Sequence, residues 1–284
     1  MDDEKATCKT KDCNKKAVHG PHCETHGFPR INQVSLVSLD TEDLRPRWLV
    51  DGWLEETDVA LIIGDPYVGK SWLALHVGMS LARGKSWTDN ITIGAAHRVL
   101  FIDEDNPDNT AKRRIQDYAR KRLSQPSEWR YNFHYWVSNF ITLQSLLDFT
   151  HERGYFALIK KMRPRLVIID TLYSFGNVDI SNQKDVAALK TGLRRFQKLI
   201  YEETGEPIAF FILHHMKKKQ ESSKGELKAT DIQRMYGSTF LHAMPDTIWI
   251  LHKERNTFYL LQPKLRADPE SGVTEPMMVQ LGVK

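Results

Sequence analysis

Val59-Ala60-Leu61-Ile62-Ile63-Gly64-Asp65-Pro66-Tyr67-Val68-Gly69-Lys70-Ser71 is the stretch on which the reading of this chain turns. Five apolar residues of strand length come first. Gly64 to Ser71 then fits G-x-x-x-x-G-K-[ST] in full. Beyond it Leu73, Val77 and Leu81 recur every four residues, which predicts a helix from Lys70 to about Arg83. Strand, glycine loop and helix start are the order in which backbone N–H groups curl inward onto a phosphate, with the helix N-terminus adding positive partial charge. In that arrangement Lys70 reaches the β- and γ-phosphates and the Ser71 hydroxyl ligates Mg²⁺. Gly64, Asp65, Pro66, Tyr67, Val68, Gly69, Lys70, Ser71 and Trp72 are therefore the expected nucleotide-binding residues.

A phosphate loop needs an acid for its metal. Leu166-Val167-Ile168-Ile169-Asp170 is a buried strand pattern that delivers a carboxylate at its C-terminal end, and Asp170 is the expected Mg²⁺ partner, held through water. A second apolar run, Arg98–Ile102, ends in Asp103, Glu104 and Asp105. Asp103 and Asp108 read as acidic loop residues near a helix start. Glu104 and Asp105 remain as alternatives for the water-activating base.

Around these anchors apolar runs alternate with amphipathic stretches, which predicts an α/β fold with a mostly parallel twisted sheet flanked by helices. Helices are expected from Asn109 to about Leu123 and from Asp185 to about Glu203, the latter with Leu189, Leu193, Phe196 and Ile200 on one face. Pro207–Leu213 is a further buried strand, and Thr247–Leu251, Phe258–Leu261 and Met277–Leu281 form an antiparallel C-terminal edge. The basic run Lys112, Arg113, Arg114, Arg120, Lys121, Arg122 reads mainly as the solvated face of its helix.

The order of these motifs resembles the RepA-like branch of the RecA superfamily, the hexameric replicative helicases of plasmids and phages and their ATPase relatives. The residues that carry the resemblance are Trp48 to Leu54, the loop Gly64–Ser71, Val167 to Leu172, Phe211-Ile212-Leu213-His214-His215 and Gly237-Ser238-Thr239. The resemblance implies a RecA-like P-loop ATPase acting on single-stranded DNA as a homo-oligomer, with a hexameric ring as the expected form. A nucleotide-switched ATPase that recruits partners without unwinding is the alternative. The resemblance also implies that a water-activating carboxylate stands after the Arg98–Ile102 strand, at the place Asp105 occupies by register, and that His214 or His215 senses the γ-phosphate. It further implies that Lys264-Leu265-Arg266 reaches a neighbouring subunit's nucleotide, with Arg266 as the finger. The loop after the sensing strand would track DNA. Here that loop carries Lys217, Lys218, Lys219, Lys224, Lys228 and Arg234, which suits phosphate contact without base reading. Tyr173-Ser174-Phe175-Gly176-Asn177 is a second candidate channel loop, with aromatics able to stack on bases.

The N-terminus carries a different signal. Cys8-x4-Cys13 and Cys23-x2-His26 give two ligand pairs whose thiolates and imidazole suit tetrahedral zinc, with His19 and His22 as rival fourth ligands. So short a segment needs metal to fold. The chain therefore divides into a zinc-knuckle module over residues 1–27, a linker over 28–47 and the ATPase domain over 48–284. Lys9, Lys11, Lys15 and Lys16 offer the knuckle a nucleic-acid or protein partner. The net charge of +4 is mild, so nucleic-acid binding must rest on these local patches. Nothing near the start resembles a secretory signal, and no apolar run approaches the ~20 residues of a membrane helix, so a cytoplasmic protein is expected.

Overall fold

Five apolar runs line up side by side because each is buried on both faces and has only its backbone edges left to pair. The computed structural model describes residues 45–86, 91–122, 131–137, 140–175, 179–216, 239–266 and 277–279, with Trp129, Gln233 and Met235 between them. The chain divides into two compact units, Met1–Arg45 and Pro46–Lys284. Cys8, Cys13, Cys23 and His26, with their rivals His19 and His22, lie outside the described residues, as do Lys217, Lys218, Lys219, Lys224, Lys228 and Arg234.

The second unit opens with a small hairpin, β1 (Trp48–Val50) and β2 (Leu54–Glu55). The phosphate-loop strand β3 (Val59–Gly64) and helix α1 (Lys70–Arg83) follow. Then come β4 (Val99–Asp103), α2 (Asp108–Arg122), β5 (Phe133–Val137) and the short helices α3 (Leu143–Leu146) and α4 (Tyr155–Met162). The chain continues through β6 (Leu166–Asp170), α5 (Gln183–Thr204), β7 (Ala209–His215), β8 (Thr247–Glu254), β9 (Thr257–Leu265) and β10 (Met277–Val279). The large sheet has the order β10-β9-β8-β3-β7-β6-β4-β5. From β5 to β8 every pair is parallel, and β8-β9-β10 is antiparallel. The parallel part puts the C-terminal ends of β3, β7, β6 and β4 on one edge, where the loops that carry the motifs emerge.

Period-two alternation sends alternate residues of each strand into two cores. Ala60, Ile62, Phe101, Ile168 and Phe211 face the core that holds α1 and the β1–β2 hairpin. Leu61, Ile63, Ile102, Ile169 and Phe210 face α4 and α5. Trp249 is fully buried in the first core; its indole N–H donates to the Trp53 carbonyl at 3.1 Å, which docks the hairpin on the sheet. Phe196 of α5 packs edge-to-face on Phe156 and Phe210 in the second.

Most expected elements are present with ends moved by a few residues, but β5, α4 and the first hairpin have no counterpart in the sequence reading. β5 is an edge strand that pairs only with β4, and its residues Phe133-His134-Tyr135-Trp136-Val137 show no clean alternation. β9 runs on to Leu265, so Lys264 lies within the strand rather than after it. None of the helices among the described residues is long and apolar enough to cross a membrane.

The edge of the sheet opposite the motif loops is closed by buried acids. Asp246 accepts hydrogen bonds from the Val59 amide, Arg194 and Arg266. Asp58 accepts from the Thr247 hydroxyl at 2.7 Å and the Glu55 amide at 3.1 Å. Burial pushes Asp58 up to about 6, against the pull of those two hydrogen bonds, with Asp246 and Glu55 adding repulsion. Its native pKa is raised above the unfolded value, so the folded state holds a proton between about pH 4 and 6 that the unfolded state has released. That contribution to stability is present below about pH 4 and is lost as pH rises through 6. Urea unfolding at pH 4, 5, 6 and 7 should show this decline in the wild type, and Asp58→Asn should flatten it.

Candidate active site

Where β3 ends, Gly64 has no room for a side chain: a Cβ there would stand 2.6 Å from the Leu251 carbonyl oxygen and 2.9 Å from Val68. Gly69 caps α1 in the left-handed region at φ 102°, a conformation that favours glycine. Between them Tyr67 also has a positive φ, and its side chain is fully exposed on the crest of the loop. Val68 turns inward and is buried, so the loop is anchored at its base.

Lys70 is buried, and its ammonium donates to the Gly64 and Asp65 carbonyl oxygens, 3.0 Å each. Its Nζ also lies 3.4 Å from His215 Nδ1 at the end of β7. Burial lowers Lys70 to about 8, opposed by the negative charges of Asp170, Asp65 and Asp105. Burial and then the Lys70 charge lower His215, which favours a neutral imidazole beside the ammonium. His214 points the other way, as strand alternation requires, and is buried.

Asp170 ends β6 with no exposed surface, and neither carboxylate oxygen has a hydrogen-bond partner of good geometry among the described residues. Burial pushes it up to about 7; the nearby Ser71 hydroxyl and Arg114 pull it down, while Asp103 and Asp105 push it up. Arg114 Nη1 stands 3.8 Å from Asp170 and 3.9 Å from Asp103. A cavity of about 570 Å³ opens over this group, lined by the crest of the phosphate loop, Lys70, Ser71, Trp72, Asp105, Asn106, Arg114, Asp170, Thr171 and His215. Buried oxygens without partners, beside a hydroxyl, form a hard-oxygen donor set of the kind magnesium takes.

The three acids after β4 separate. Asp103 is wholly buried rather than a solvated loop residue. It accepts from the Asp105 and Asn106 amides, the Asn106 side chain and, at 2.5 Å, the Tyr135 hydroxyl, so it folds the turn. Glu104 leans away from the cavity and accepts from the Phe140 amide at 2.9 Å. Asp105 lines the cavity, with its carboxylate 3.3 Å from the Ser174 hydroxyl. Asp108 sits on the surface, paired with Lys112.

Two expectations need correction. Phe175 is core, so Tyr173, exposed beyond β6, is the only aromatic of that segment on the surface. Arg114 is not part of a solvated face: its side chain is 16% exposed and lines the cavity. Its place was legible, because Ala111, Arg114, Ile115 and Tyr118 follow the i, i+3, i+4, i+7 spacing of a helix face that packs inward. Lys264 and Arg266 lie at the far edge of the sheet. Lys264 donates to the His242 and Pro245 carbonyls, and Arg266 pairs with Asp246 at 2.6 Å.

Residues 27–221, more than half of the chain, match the family described as AAA domain. That match contains the phosphate loop, the acids after β4, Asp170 and both histidines, and ends before Lys264. No curated protein matches the chain. Among solved structures, the ATPase domain of G40p superposes with a TM-score of 0.50 at 14% identity, covering 79% of this chain and 80% of that one. A KaiC-like protein from the hyperthermophilic archaeon Pyrococcus horikoshii gives a TM-score of 0.47 at 12% identity, covering 81% and 88%. The first likeness accords with a RecA-like P-loop fold.

The tight seat of Gly64 is testable without any ligand. Gly64→Ala forces its Cβ against the Leu251 carbonyl and should destabilise the protein by about 1–3 kcal/mol. A urea midpoint equal to that of the wild type would show that the loop has room the structure does not.

Proposed function

We propose that this chain, which belongs to the AAA-domain family, binds and hydrolyses MgATP over Lys70 and Asp170 and uses the cycle to act on single-stranded DNA as a ring of identical subunits. The observation that carries the nucleotide reading is a buried ammonium held by main-chain carbonyls and, beside the Ser71 hydroxyl, a buried carboxylate, both facing one cavity at a helix N-terminus. In this reading Lys70 leaves its two carbonyl partners for the β- and γ-phosphate oxygens, and the amides of Gly69, Lys70 and Ser71 hold the phosphates. Ser71 and Asp170 hold Mg²⁺, which when bound neutralises phosphate charge. Asp105 takes a proton from the attacking water as the new P–O bond forms and the bond to the leaving ADP oxygen breaks. Glu104, tied to Phe140, supports Asp105 by default. His215, between Lys70 and the chain beyond β7, is placed to sense the terminal phosphate.

What favours work on DNA is where the basic excursion is rooted. The chain leaves β7 at Met216 and returns at Met235; these two buried residues form an antiparallel bridge, and the Met216 amide donates to the Gly64 carbonyl at 3.1 Å. Lys217, Lys218, Lys219, Lys224, Lys228 and Arg234 lie in sequence between these two residues. The ring is supported by the sheet. β9 is antiparallel, and Leu260 stands beside Leu251 at the phosphate-loop edge, so Arg266, six residues further on, lies about 20 Å from that edge; in a ring it would serve a neighbouring chain's nucleotide. A switch-like ATPase without unwinding is the second reading, favoured by an aspartate rather than the longer glutamate facing the cavity. Cys8, Cys13, Cys23 and His26 remain a proposed zinc set, which metal analysis well below one zinc per chain would remove.

Lys70→Ala should abolish ATP turnover; wild-type turnover in this variant would end the proposal. Of Asp105→Asn and Glu104→Gln, the first should slow hydrolysis by roughly 10²–10⁴-fold while ATP still binds. The reverse outcome would make Glu104 the base.

Arg266→Ala should bind ATP normally and hydrolyse it poorly, and mixing it with Lys70→Ala chains, which keep Arg266, should restore part of the turnover. Turnover that is independent of protein concentration, with no such rescue, would argue for a site complete in one chain.

A further inference from the structure

Arg114 sits near the middle of α2 on the face that packs toward the sheet, so its guanidinium reaches the C-terminal edge of β4 and β6. There it is the cation between two wholly buried carboxylates, Asp103 and Asp170. It is hydrogen-bonded to neither. Nη1 lies 3.9 and 3.8 Å from them, is buried and has no hydrogen-bond partner among the described residues. Nη2 donates to Asn106 Oδ1 at 3.2 Å, and the guanidinium stands 6.0 Å from the centre of the Trp72 ring. A buried N–H left without an acceptor is costly, and this one borders the cavity that Lys70 and Ser71 also line.

The two carboxylates are not equivalent. Asp103 is already committed to the turn and to Tyr135. Asp170 has no such bonds, and it is the one that would hold Mg²⁺ with Ser71 when nucleotide is bound, its charge then shared with the metal. Arg114 then loses half of what holds its charge, with one N–H still free. We propose that Arg114 is this chain's own arginine for the terminal phosphate: it releases Asp170 and donates Nη1 to a γ-phosphate oxygen, while Asn106 keeps Nη2. The fork geometry of a guanidinium is required, because a lysine ammonium cannot hold Asn106 and a phosphate at two separate nitrogens. The inference rests on the reading of the cavity as a MgATP site, and it is distinct from the role of Arg266, which would act between chains.

The test is equilibrium binding of MgATPγS and MgADP, beside ATP turnover, for the full-length wild type, Arg114→Gln and Arg114→Lys. Arg114→Gln should bind MgADP as the wild type does, lose roughly tenfold or more in affinity for MgATPγS, and lose roughly 10²–10³-fold in turnover. A preference for ATPγS over ADP equal to that of the wild type, or equal losses for both nucleotides, would overturn it, because a merely structural arginine would not separate the two. Should Arg114→Gln fail to fold, Arg114→Lys decides. It keeps a cation beside Asp103 and Asp170 and should melt near the wild type, yet lose at least part of the ATPγS preference; full retention would overturn the proposal. A wild type that binds neither nucleotide would remove the cavity reading itself, whereas a wild type that binds and hydrolyses, with Arg114→Gln unchanged, removes this inference alone.

Discussion

Asp170 has no surface exposed and no hydrogen-bond partner of good geometry for either oxygen, and it ends a strand whose other four residues are apolar and buried. A charge so placed is unfavourable unless something cationic stands near it. The rest of the site answers that constraint. Lys70 arrives from α1, Arg114 from α2, and the Ser71 hydroxyl from the first turn of α1. Two of them come from α1 and one from α2, and they meet because β3, β7, β6 and β4 are parallel neighbours whose C-terminal ends share one edge. Were β6 antiparallel, Asp170 would open at the other end of the sheet and Lys70 would lose the acid that acts on it most strongly.

The order of strands also decides what is coupled to what. β7 lies between β3 and β6, in register with both, so that His215 sits opposite Gly64. The phosphate loop therefore touches the end of β7 directly, through Lys70 to His215 and through Gly64 to Met216. The basic stretch begins at the next residue. That short path of direct contacts gives a physical basis for linking phosphate chemistry to a charged loop, without any longer chain of contacts through the core.

The sequence showed most of the fold because its central strands are buried on both faces and so read as unbroken apolar runs, such as Ala60–Ile63 and Leu166–Ile169. It did not show β5, which among the described strands pairs along one edge only and is made largely of aromatics that would suit a helix face equally well. Within the site, Lys70, Ser71 and Asp170 were legible because their chemistry needs fixed spacing from a glycine loop or a strand end. Which of Glu104 and Asp105 lines the cavity was not, because it turns on how Asp103 folds the turn: its carboxylate accepts from the Asp105 and Asn106 amides and the Asn106 side chain, while Glu104 accepts from the Phe140 amide. Arg114 was hidden by its neighbours. Lys112 and Arg113 on one side and Arg120 and Lys121 on the other are surface residues, so the run reads as solvated unless the helical phase of Ala111, Ile115 and Tyr118 is followed through it.

Charge is divided between the two edges of the sheet. The motif edge holds Lys70, Asp170 and Arg114 around one cavity. The opposite edge holds Asp246, and Arg266 is tied to it beside Arg194. Asp246 also accepts from the first amide of β3, so it fixes the start of the phosphate-loop strand while holding the arginine. The strand whose first amide Asp246 holds therefore ends at Gly64, where the phosphate loop begins. A neighbouring chain that drew Arg266 toward its own phosphates would relieve Asp246 of one of its two cations and change the charge at the root of β3. In a ring, that would carry the state of one site to the next through a single strand, with no rearrangement of the sheet required.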